Sequence, residues 1–457
     1  MLRRAPARFR TADRRRCHAP PAQPRIVALA GAALRSYYWV WSNAVTENTN
    51  IEPRRLYMDN AATSFPKPRA VLEAMVRYAN ELGASAGRGA YHEAVETGQL
   101  ISECRRRLCR LFNGEKPEHF VFTLNCSEAL NQAVKGLVDE QRPGHIVCTR
   151  IDHNSILRPV NALVERGWAQ VTRVDIDPAT GLVDPERVRA AIRDDTRLIA
   201  VTHASNVTGT VQDIRAIGRI ARQSGVPLLV DAAQSAGHLP IDVQADGIDL
   251  LAAPGHKGLL GPLGTGFLYI RPGLEQRLRP LKEGGTGSVS ESDRQPTFMP
   301  DRFESGSHNA IGIIGLSEGV GWILQQGIDR LAAHQADLVR TFLDGIADIE
   351  GLKLYGPASV RNRCGVFSVR IADLEPYELA AILESRYGIL TRPGIHCAPL
   401  VHETLGTLPL GGTTRLSFGP FLSVQDVMYA ADALAQIAMT VAERPGERAG
   451  GDLAKVR

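Results

Sequence analysis

Residues 250–270, LLAAPGHKGLLGPLGTGFLYI, place one lysine, Lys257, on a glycine-flanked turn between two apolar runs that are typical of buried strands. The chain contains 46 arginines and only seven lysines, so most of its basic side chains cannot form an imine. Leucine, alanine and glycine around Lys257 would lower the pKa of its amine and favour the nucleophilic free base. From this segment alone, a Schiff-base lysine and a turn lysine paired with a surface acid both remain open.

Short apolar runs alternate with helical periodicity between residues 100 and 270. The runs are HFVFTL (119–124), HIVCTR (145–150), VTRVDID (171–177), RLIAVTH (197–203), VPLLVDAA (226–233), IDLLAAP (248–254) and GTGFLYI (264–270). Six or seven strands separated by helices predict an α/β fold with a mostly parallel sheet.

Polar residues close several of these predicted strands, and they are Ser127, His153, Asn206, Asp231 and Lys257. Ligands of such sheets bind beyond the carboxyl ends of the strands. The sequence therefore predicts one large site at that edge of the sheet.

The pattern changes after the polar loop 283–309. A helical stretch, about Ala310–Glu350, is followed by strand-like segments such as GVFSVRI and TRLSFGP. We predict a large domain over residues 56–310, a smaller α+β domain over 311–442 and a flexible tail over 443–457.

Residues 1–55 are predicted to be a disordered or targeting-like extension. The first fifty residues contain nine arginines, only two acids and several prolines, and their apolar run, 26–34, is too short to span a bilayer. Met58 is available as an alternative initiator where the folded pattern begins.

The net charge of +4 arises in the first fifty residues, because residues 51–457 sum to −3. The folded part of the chain therefore lacks the excess of basic residues that is typical of nucleic-acid-binding proteins. We expect neither nucleic acid nor a membrane as partner. The seven cysteines are scattered without CxxC pairs, which indicates neither a disulfide framework nor a zinc site. We expect a reducing, cytoplasmic location and no bound metal.

Asp231 ends the apolar run VPLLVDAA, where a buried carboxylate is unfavourable unless a cation pairs with it. A protonated pyridine nitrogen would be such a cation, and pyridoxal phosphate needs that proton to act as an electron sink. An aspartate that caps a following helix is the alternative interpretation.

Two further segments have chemical potential. The turn Asn125-Cys126-Ser127 opens a predicted helix, whose N-terminus would present free N–H groups to a phosphate. In RPGIHCAPL (392–400), Cys397 follows His396 on a loop, and such a cysteine is either a reactive thiolate or an inert thiol. Arg415 offers a rigid fork suited to a substrate carboxylate or, alternatively, to a surface ion pair.

Taken in order, these motifs resemble the cysteine desulfurases of the class V aminotransferase superfamily, and within it the SUF-type and selenocysteine lyase-like group. The matching stretches cover residues 57–422: YMDNAATSFPKP, GRGAYHEA, FTLNCSEALNQAVKGL, RIDHNSILRP, THASNVTGT, LLVDAAQSAGHLPIDV, APGHKGLLGPLGTGFLYI, DRFESGSHNAIGIIGL, RPGIHCAPL and TTRLSFGPF. The resemblance implies a fold-type I enzyme that binds pyridoxal 5′-phosphate, acts as a homodimer and converts L-cysteine to L-alanine.

The resemblance also implies roles for individual residues. Lys257 would hold the cofactor covalently, Asp231 would pair with its ring nitrogen, Gln234 would bind its ring hydroxyl and His153 would stack on the ring. The phosphate would be held by Cys126 and Ser127 of the turn, by His256 and, across a dimer interface, by Thr286.

For the substrate, Asn206 and Arg415 would grip the carboxylate, with Asn206 also close to the cofactor. Lys257 and His153 would be catalytic, and Cys397 would accept the sulfur as a persulfide. A sulfur-acceptor protein would then receive it.

The chain departs from the family pattern at four positions. Pro254 replaces a serine that supplies a phosphate hydroxyl in many relatives, and Asn125 and Cys126 stand where glycine and threonine or alanine are usual. His308 replaces a residue that is more often proline.

Two alternatives remain open at this point. A selenocysteine lyase or an aminotransferase would use the same scaffold without needing Cys397 in the same way. A persulfide carrier or partner-binding paralogue without catalytic activity would keep only the fold.

Overall fold

The computed structural model describes residues 55–86 and 89–443. The predicted extension up to residue 54, the tail beyond residue 443, and Gly87 and Arg88 of the GRGAYHEA motif lie outside the described residues.

Strands and helices alternate over most of the described chain. The strands are β1 Leu56–Tyr57, β2 Phe120–Thr123, β3 Gly144–Thr149, β4 Ala169–Val174, β5 Thr196–Thr202, β6 Leu228–Asp231, β7 Leu250–Pro254, β8 Gly266–Ile270, β9 Leu352–Tyr355, β10 Val366–Ile371, β11 Ile389–Leu390, β12 Arg392–Gly394 and β13 Thr413–Ser417. The helices are α1 Arg69–Arg77, α2 His92–Leu111, α3 Cys126–Leu137, α4 Asn154–Glu165, α5 Pro185–Ala191, α6 Ile214–Ser224, α7 Ala310–Gln326, α8 Ile328–Ile346, α9 Pro376–Tyr387, α10 Pro399–Thr404 and α11 Val424–Ala442.

The central sheet has seven strands in the order β2-β8-β7-β6-β5-β3-β4. Strand β8 runs antiparallel to both of its neighbours, and every other adjacent pair is parallel. The α/β fold with a mostly parallel seven-stranded sheet, predicted from the sequence, is confirmed.

Both faces of this sheet are buried, which explains why its strands are continuous apolar runs. Successive residues of β3 enter different apolar clusters: Val147 packs with α2, α6 and α7, whereas Ile146 and Cys148 pack with α3 and α4. Polar side chains can therefore be accommodated only where the strands end.

A second sheet is antiparallel, in the order β12-β13-β10-β9, and it packs with α8 and α11. The predicted helical stretch 310–350 is two helices, because Gly327, with φ 83°, ends α7. Side chains of α7, such as Leu316 and Val320, lie in the core of the seven-stranded sheet.

Strand β1 belongs with the second half of the chain. Leu56 and Tyr57 pair in parallel with Ile389 and Leu390 of β11, and the Met58 N–H donates to the Leu390 carbonyl oxygen at 2.9 Å. Leu56 is buried and Met58 has no exposed surface. A chain that began at Met58 would lack β1 and place its charged amino group in this core.

We therefore expect a chain that begins at Met58 to unfold more readily than one that begins at Arg55. Loss of the buried Leu56 side chain and of β1 hydrogen bonds should lower the free energy of unfolding by about 3 kcal/mol. Urea unfolding of the two truncated proteins measures the difference. Equal midpoints would show that β1 does not stabilise the fold.

Candidate active site

A cavity of about 110 Å³ lies beyond the carboxyl ends of the parallel strands. Eight of the predicted site residues line it: Cys126, Ser127, His153, Asn206, Asp231, Gln234, His256 and Lys257. The lining also includes Ser155 and Thr202, which the sequence analysis missed because nothing in their local pattern distinguishes them.

Lys257 sits on the turn that follows β7, and backbone contacts fix the path of that turn. A Cβ on Gly258 would overlap the carbonyl oxygen of Ala236, and one on Gly237 would overlap the carbonyl oxygen of Gly258. Burial lowers the pKa of the Lys257 amine, an effect that the nearby Asp231 carboxylate partly offsets. The turn thus holds an amine whose free-base form is favoured relative to an exposed lysine.

Asp231 is the last residue of β6, next to β7 in the sheet, and is only 2% exposed. Its Oδ1 accepts the N–H of Ala233 at 2.9 Å and the thiol of Cys126 at 3.5 Å. Burial raises the pKa of this carboxyl group. No helix begins after it, because residues 233–238 form turns, so the helix-cap interpretation is wrong.

The Asn125-Cys126-Ser127 turn opens helix α3, as predicted. The side chain of Asn125 is the N-cap and accepts the N–H of Glu128 at 2.9 Å, which gives this unusual residue a local role. The hydroxyls of Ser127 and Ser155 lie 2.7 Å apart. The N-terminus of α3 thus lines the cavity with the hydroxyl of Ser127, and the hydroxyl of Ser155 from α4 lies beside it.

His153 caps α4, and its Nδ1 accepts the N–H of Ser155 at 3.0 Å, so the neutral ring carries its proton on Nε2. Burial, reinforced by Lys257, lowers the pKa of His153 to about 4. The preceding residue, Asp152, accepts the N–H groups of Thr149 at 2.6 Å and Thr202 at 2.8 Å. It thereby joins the ends of β3 and β5 beneath the cavity.

The segment that follows β1 also braces the cavity, a contribution that sequence reasoning missed. Gln234 Nε2 donates to the carbonyl oxygen of Ala61 at 3.0 Å. The carbonyl oxygen of His256 accepts from Thr63 Oγ1 and Lys67 Nζ, both at 3.0 Å. Burial lowers the pKa of Lys67 to about 8.

Arg415, on β13, is 2% exposed. Its Nη2 donates to Asp59 Oδ1 at 2.7 Å and its Nη1 donates to the carbonyl oxygen of Asn206 at 3.2 Å. Its Nε is buried without a hydrogen-bond partner among the described residues. The guanidinium group is thus oriented, and its Nε–H remains unpaired.

Cys397 is exposed, and two contacts hold its loop near the cavity. Asn206 Nδ2 donates to the carbonyl oxygen of His396 at 2.5 Å. The N–H of Asn154 donates to the carbonyl oxygen of Cys397 at 2.9 Å. The structure therefore brings the predicted sulfur acceptor to the same edge as Lys257.

Thr286 does not lie at this cavity. It lines a separate open groove of about 1280 Å³, and its hydroxyl lies 3.0 Å from that of Ser288. His308, the unusual residue of ESGSHN, lines the same groove, and its Nε2 lies 3.4 Å from Glu304 Oε2.

The cavity has unmet hydrogen-bonding capacity that suits a polar ligand. Thr202 Oγ1, Asn206 Oδ1 and His256 Nδ1 are buried and lack partners among the residues that the structure describes. Buried polar atoms are normally paired, so a ligand that pairs with them is the expected occupant. Beside these atoms lie a desolvated lysine and aspartate, which fit the aldehyde and the ring nitrogen of pyridoxal phosphate.

Within the described ranges, no group of three or more His, Cys, Asp or Glu residues could hold a metal ion. The same ranges contain no helix that is both long and apolar enough to cross a membrane. The six cysteines described there are free thiols.

The mostly parallel sheet, with Asp231 at the end of β6 and Lys257 on the turn after the adjacent β7, has the architecture of the fold-type I class of pyridoxal phosphate enzymes. The aminotransferase class-V family model matches residues 56–429. A probable cysteine desulfurase of Methanothermobacter thermautotrophicus is 38% identical over 84% of this chain and 94% of its own length. The chain belongs to the class-V aminotransferase family, in the group of the cysteine desulfurases, and this family generally depends on pyridoxal phosphate.

Solved structures show the same similarity. The apo cysteine desulfurase of Thermococcus onnurineus superposes with a TM-score of 0.79 at 33% identity, over 84% of this chain and 95% of that one. The cysteine desulfurase CsdA of Escherichia coli gives a TM-score of 0.74 at 28% identity, over 84% and 94% of the two chains.

We expect His153 to make the fold acid-sensitive. The unfolded chain binds a proton at this histidine near pH 6.5, whereas the folded chain does so only near pH 4, so its contribution to stability is lost as pH falls through this window. The slope of the free energy of unfolding against pH measures how many protons the chain takes up when it unfolds. In His153→Gln, that slope should be smaller by up to about one proton between pH 6.5 and 4. Urea unfolding at several pH values measures this.

His92→Gln is the matched control, because it makes the same replacement at an exposed position on α2. If the pH dependence of His153→Gln does not differ from that of the unsubstituted protein, His153 is not buried in the neutral form.

Proposed function

We propose that the protein is a pyridoxal phosphate-dependent cysteine desulfurase, which transfers the sulfur of L-cysteine to Cys397 and releases L-alanine. One observation carries the proposal. The Cys397 thiol is exposed on a loop that lies close to the cavity of the buried Lys257 amine. The Asn206 side chain and the Asn154 N–H hold that loop by hydrogen bonds to its backbone carbonyl oxygens.

The cofactor would occupy the Lys257 cavity. Lys257 would hold its aldehyde carbon, Asp231 its protonated ring nitrogen, and Ser127 and His256 its phosphate at the N-terminus of α3. When bound, pyridoxal phosphate supplies a conjugated cationic ring that accepts the electron pair left when the Cα–H bond of an amino acid breaks.

Lys257 is also the candidate base for that bond. Because burial favours the free amine, Lys257 Nζ can accept the Cα proton of L-cysteine and return it later. His153, which stays neutral at physiological pH, adds no second cation beside this amine.

Arg415 would hold the substrate carboxylate, and Asn206 would contribute through its second Nδ2–H, because its unpaired Oδ1 only accepts. The Arg415 Nε–H is unpaired, and its guanidinium is already fixed by Asp59 and the Asn206 carbonyl. A carboxylate that accepts from Nε would pair a donor that is otherwise buried without a partner.

Cys397 would attack the substrate sulfur. The Cβ–S bond of L-cysteine breaks, an S–S bond forms at Cys397, and the carbon receives a proton, so that L-cysteine and the thiol become L-alanine and a persulfide. A thiol reductant or a sulfur-acceptor protein would then remove the outer sulfur. In a homodimer, Thr286 would approach the cofactor of the neighbouring subunit.

The exposed, anchored thiol favours this reaction over the two alternatives on the same scaffold. An aminotransferase has no need of Cys397, and neither does a selenocysteine lyase in the same way. A carrier without catalytic activity would not require the desolvated Lys257 amine beside Asp231.

Cys397→Ala should lower alanine and sulfide release from L-cysteine, with a thiol reductant present, by at least about a hundredfold. The substitution removes the sulfur acceptor without touching the Lys257 cavity, so the visible absorbance of the bound cofactor should persist. Cys109→Ala is the matched control, because this partly buried thiol donates to the Gly114 carbonyl oxygen and does not line the Lys257 cavity. Its turnover should be unchanged.

Turnover that survives Cys397→Ala would instead indicate a lyase or an aminotransferase. Purified protein without visible absorbance, even after incubation with pyridoxal phosphate, would contradict the cofactor proposal itself.

A further inference from the structure

The Cys397 loop, residues 395–398, holds a backbone conformation that residues with a side chain rarely adopt. His396 and Cys397 have φ angles of 53° and 59°, both in the left-handed region. This region is unfavourable for any residue with a Cβ atom. Two successive residues of this kind persist only where contacts from elsewhere hold them.

Three hydrogen bonds supply those contacts. They are Asn206 Nδ2 to the His396 carbonyl oxygen at 2.5 Å, the Asn154 N–H to the Cys397 carbonyl oxygen at 2.9 Å, and His396 Nε2 to Thr413 Oγ1 at 3.2 Å. Of these, the Asn206 bond alone comes from a side chain that lines the Lys257 cavity.

The orientation of the Asn206 side chain follows from its partner. A carbonyl oxygen only accepts, so the NH₂ group must face His396 and the Oδ1 atom must face away. Asn206 is 6% exposed, its Oδ1 has no partner among the described residues, and its own carbonyl oxygen accepts from Arg415 Nη1. One residue therefore touches the cavity, the substrate-binding arginine and the cysteine loop.

We propose that Asn206 is a positioning residue for Cys397. Its amide holds the strained loop against the cavity, and so sets the sulfur acceptor at a fixed place relative to Arg415 and Lys257. The meaning of this placement for sulfur transfer rests on the proposed function, whereas the bond itself and its effect on the loop do not.

The Asn154 amide reports the position of the loop directly. Asn154 is the first residue of α4, so its N–H has no partner within the helix and is protected by the Cys397 carbonyl oxygen. The next amide, that of Ser155, is held by His153 Nδ1 and does not depend on the loop. Hydrogen–deuterium exchange resolved to single residues, on the full-length protein as purified, measures both amides.

In Asn206→Leu, which keeps the size of the side chain but removes its donor, exchange at Asn154 should accelerate about tenfold. Exchange at Ser155 and the thermal midpoint should stay close to those of the unsubstituted protein. Asn206→Asp, which places an acceptor against the His396 carbonyl oxygen, should accelerate Asn154 at least as much. Thr202→Val, at the same cavity but without a bond to the loop, should change neither amide.

Unchanged exchange at Asn154 in both Asn206 variants would overturn the proposal. So would uniform acceleration along α4 with a lower thermal midpoint, or an equal effect of Thr202→Val. Alanine release measured on the same preparations separates the two proposals. If the unsubstituted protein releases no alanine but Asn154 responds as expected, only the proposed function fails.

Discussion

The candidate active site depends on one constraint: two ionisable side chains, Asp231 at the end of β6 and Lys257 on the turn after the adjacent β7, belong to a sheet that is buried on both faces. Neither side chain can reach bulk water along the strands, because helices cover each face with apolar side chains. They can be accommodated only where the parallel strands end and backbone pairing stops. The cavity, its unpaired polar atoms and the segment after β1 that contacts Gln234 and His256 all lie at that edge.

The second, antiparallel sheet contributes what the first cannot. Strand β13 carries Arg415, and the segment after β12 carries Cys397, so substrate recognition and sulfur acceptance would come from a different half of the chain than the cofactor lysine. Contacts of Asn206 with Arg415 and with His396 connect the two halves. This division would allow the buried Lys257 amine and the exposed Cys397 thiol to act in one reaction, although the amine needs burial and the thiol needs access to solvent.

The sequence was sufficient to predict the sheet and most of the residues that line the cavity, because Asp231 and Lys257 each interrupt or follow an apolar run. Thr202, Ser155 and Asp152 escaped prediction, because a threonine, a serine or an acid beside a strand end has many ordinary roles. The bracing of His256 by Lys67 joins residues far apart in the chain, and no local pattern encodes such a contact. The family resemblance supplied Thr286, whose groove within one chain is separate from the Lys257 cavity.

The turn that carries Lys257 is closed by backbone touching backbone, with Gly237 and Gly258 pressed against neighbouring carbonyl groups. A side chain at either glycine would displace the lysine itself. Efforts to alter the substrate range of this scaffold by substitution should therefore leave this turn unchanged. The position of the Lys257 amine therefore depends on the lack of a Cβ atom at Gly237 and Gly258.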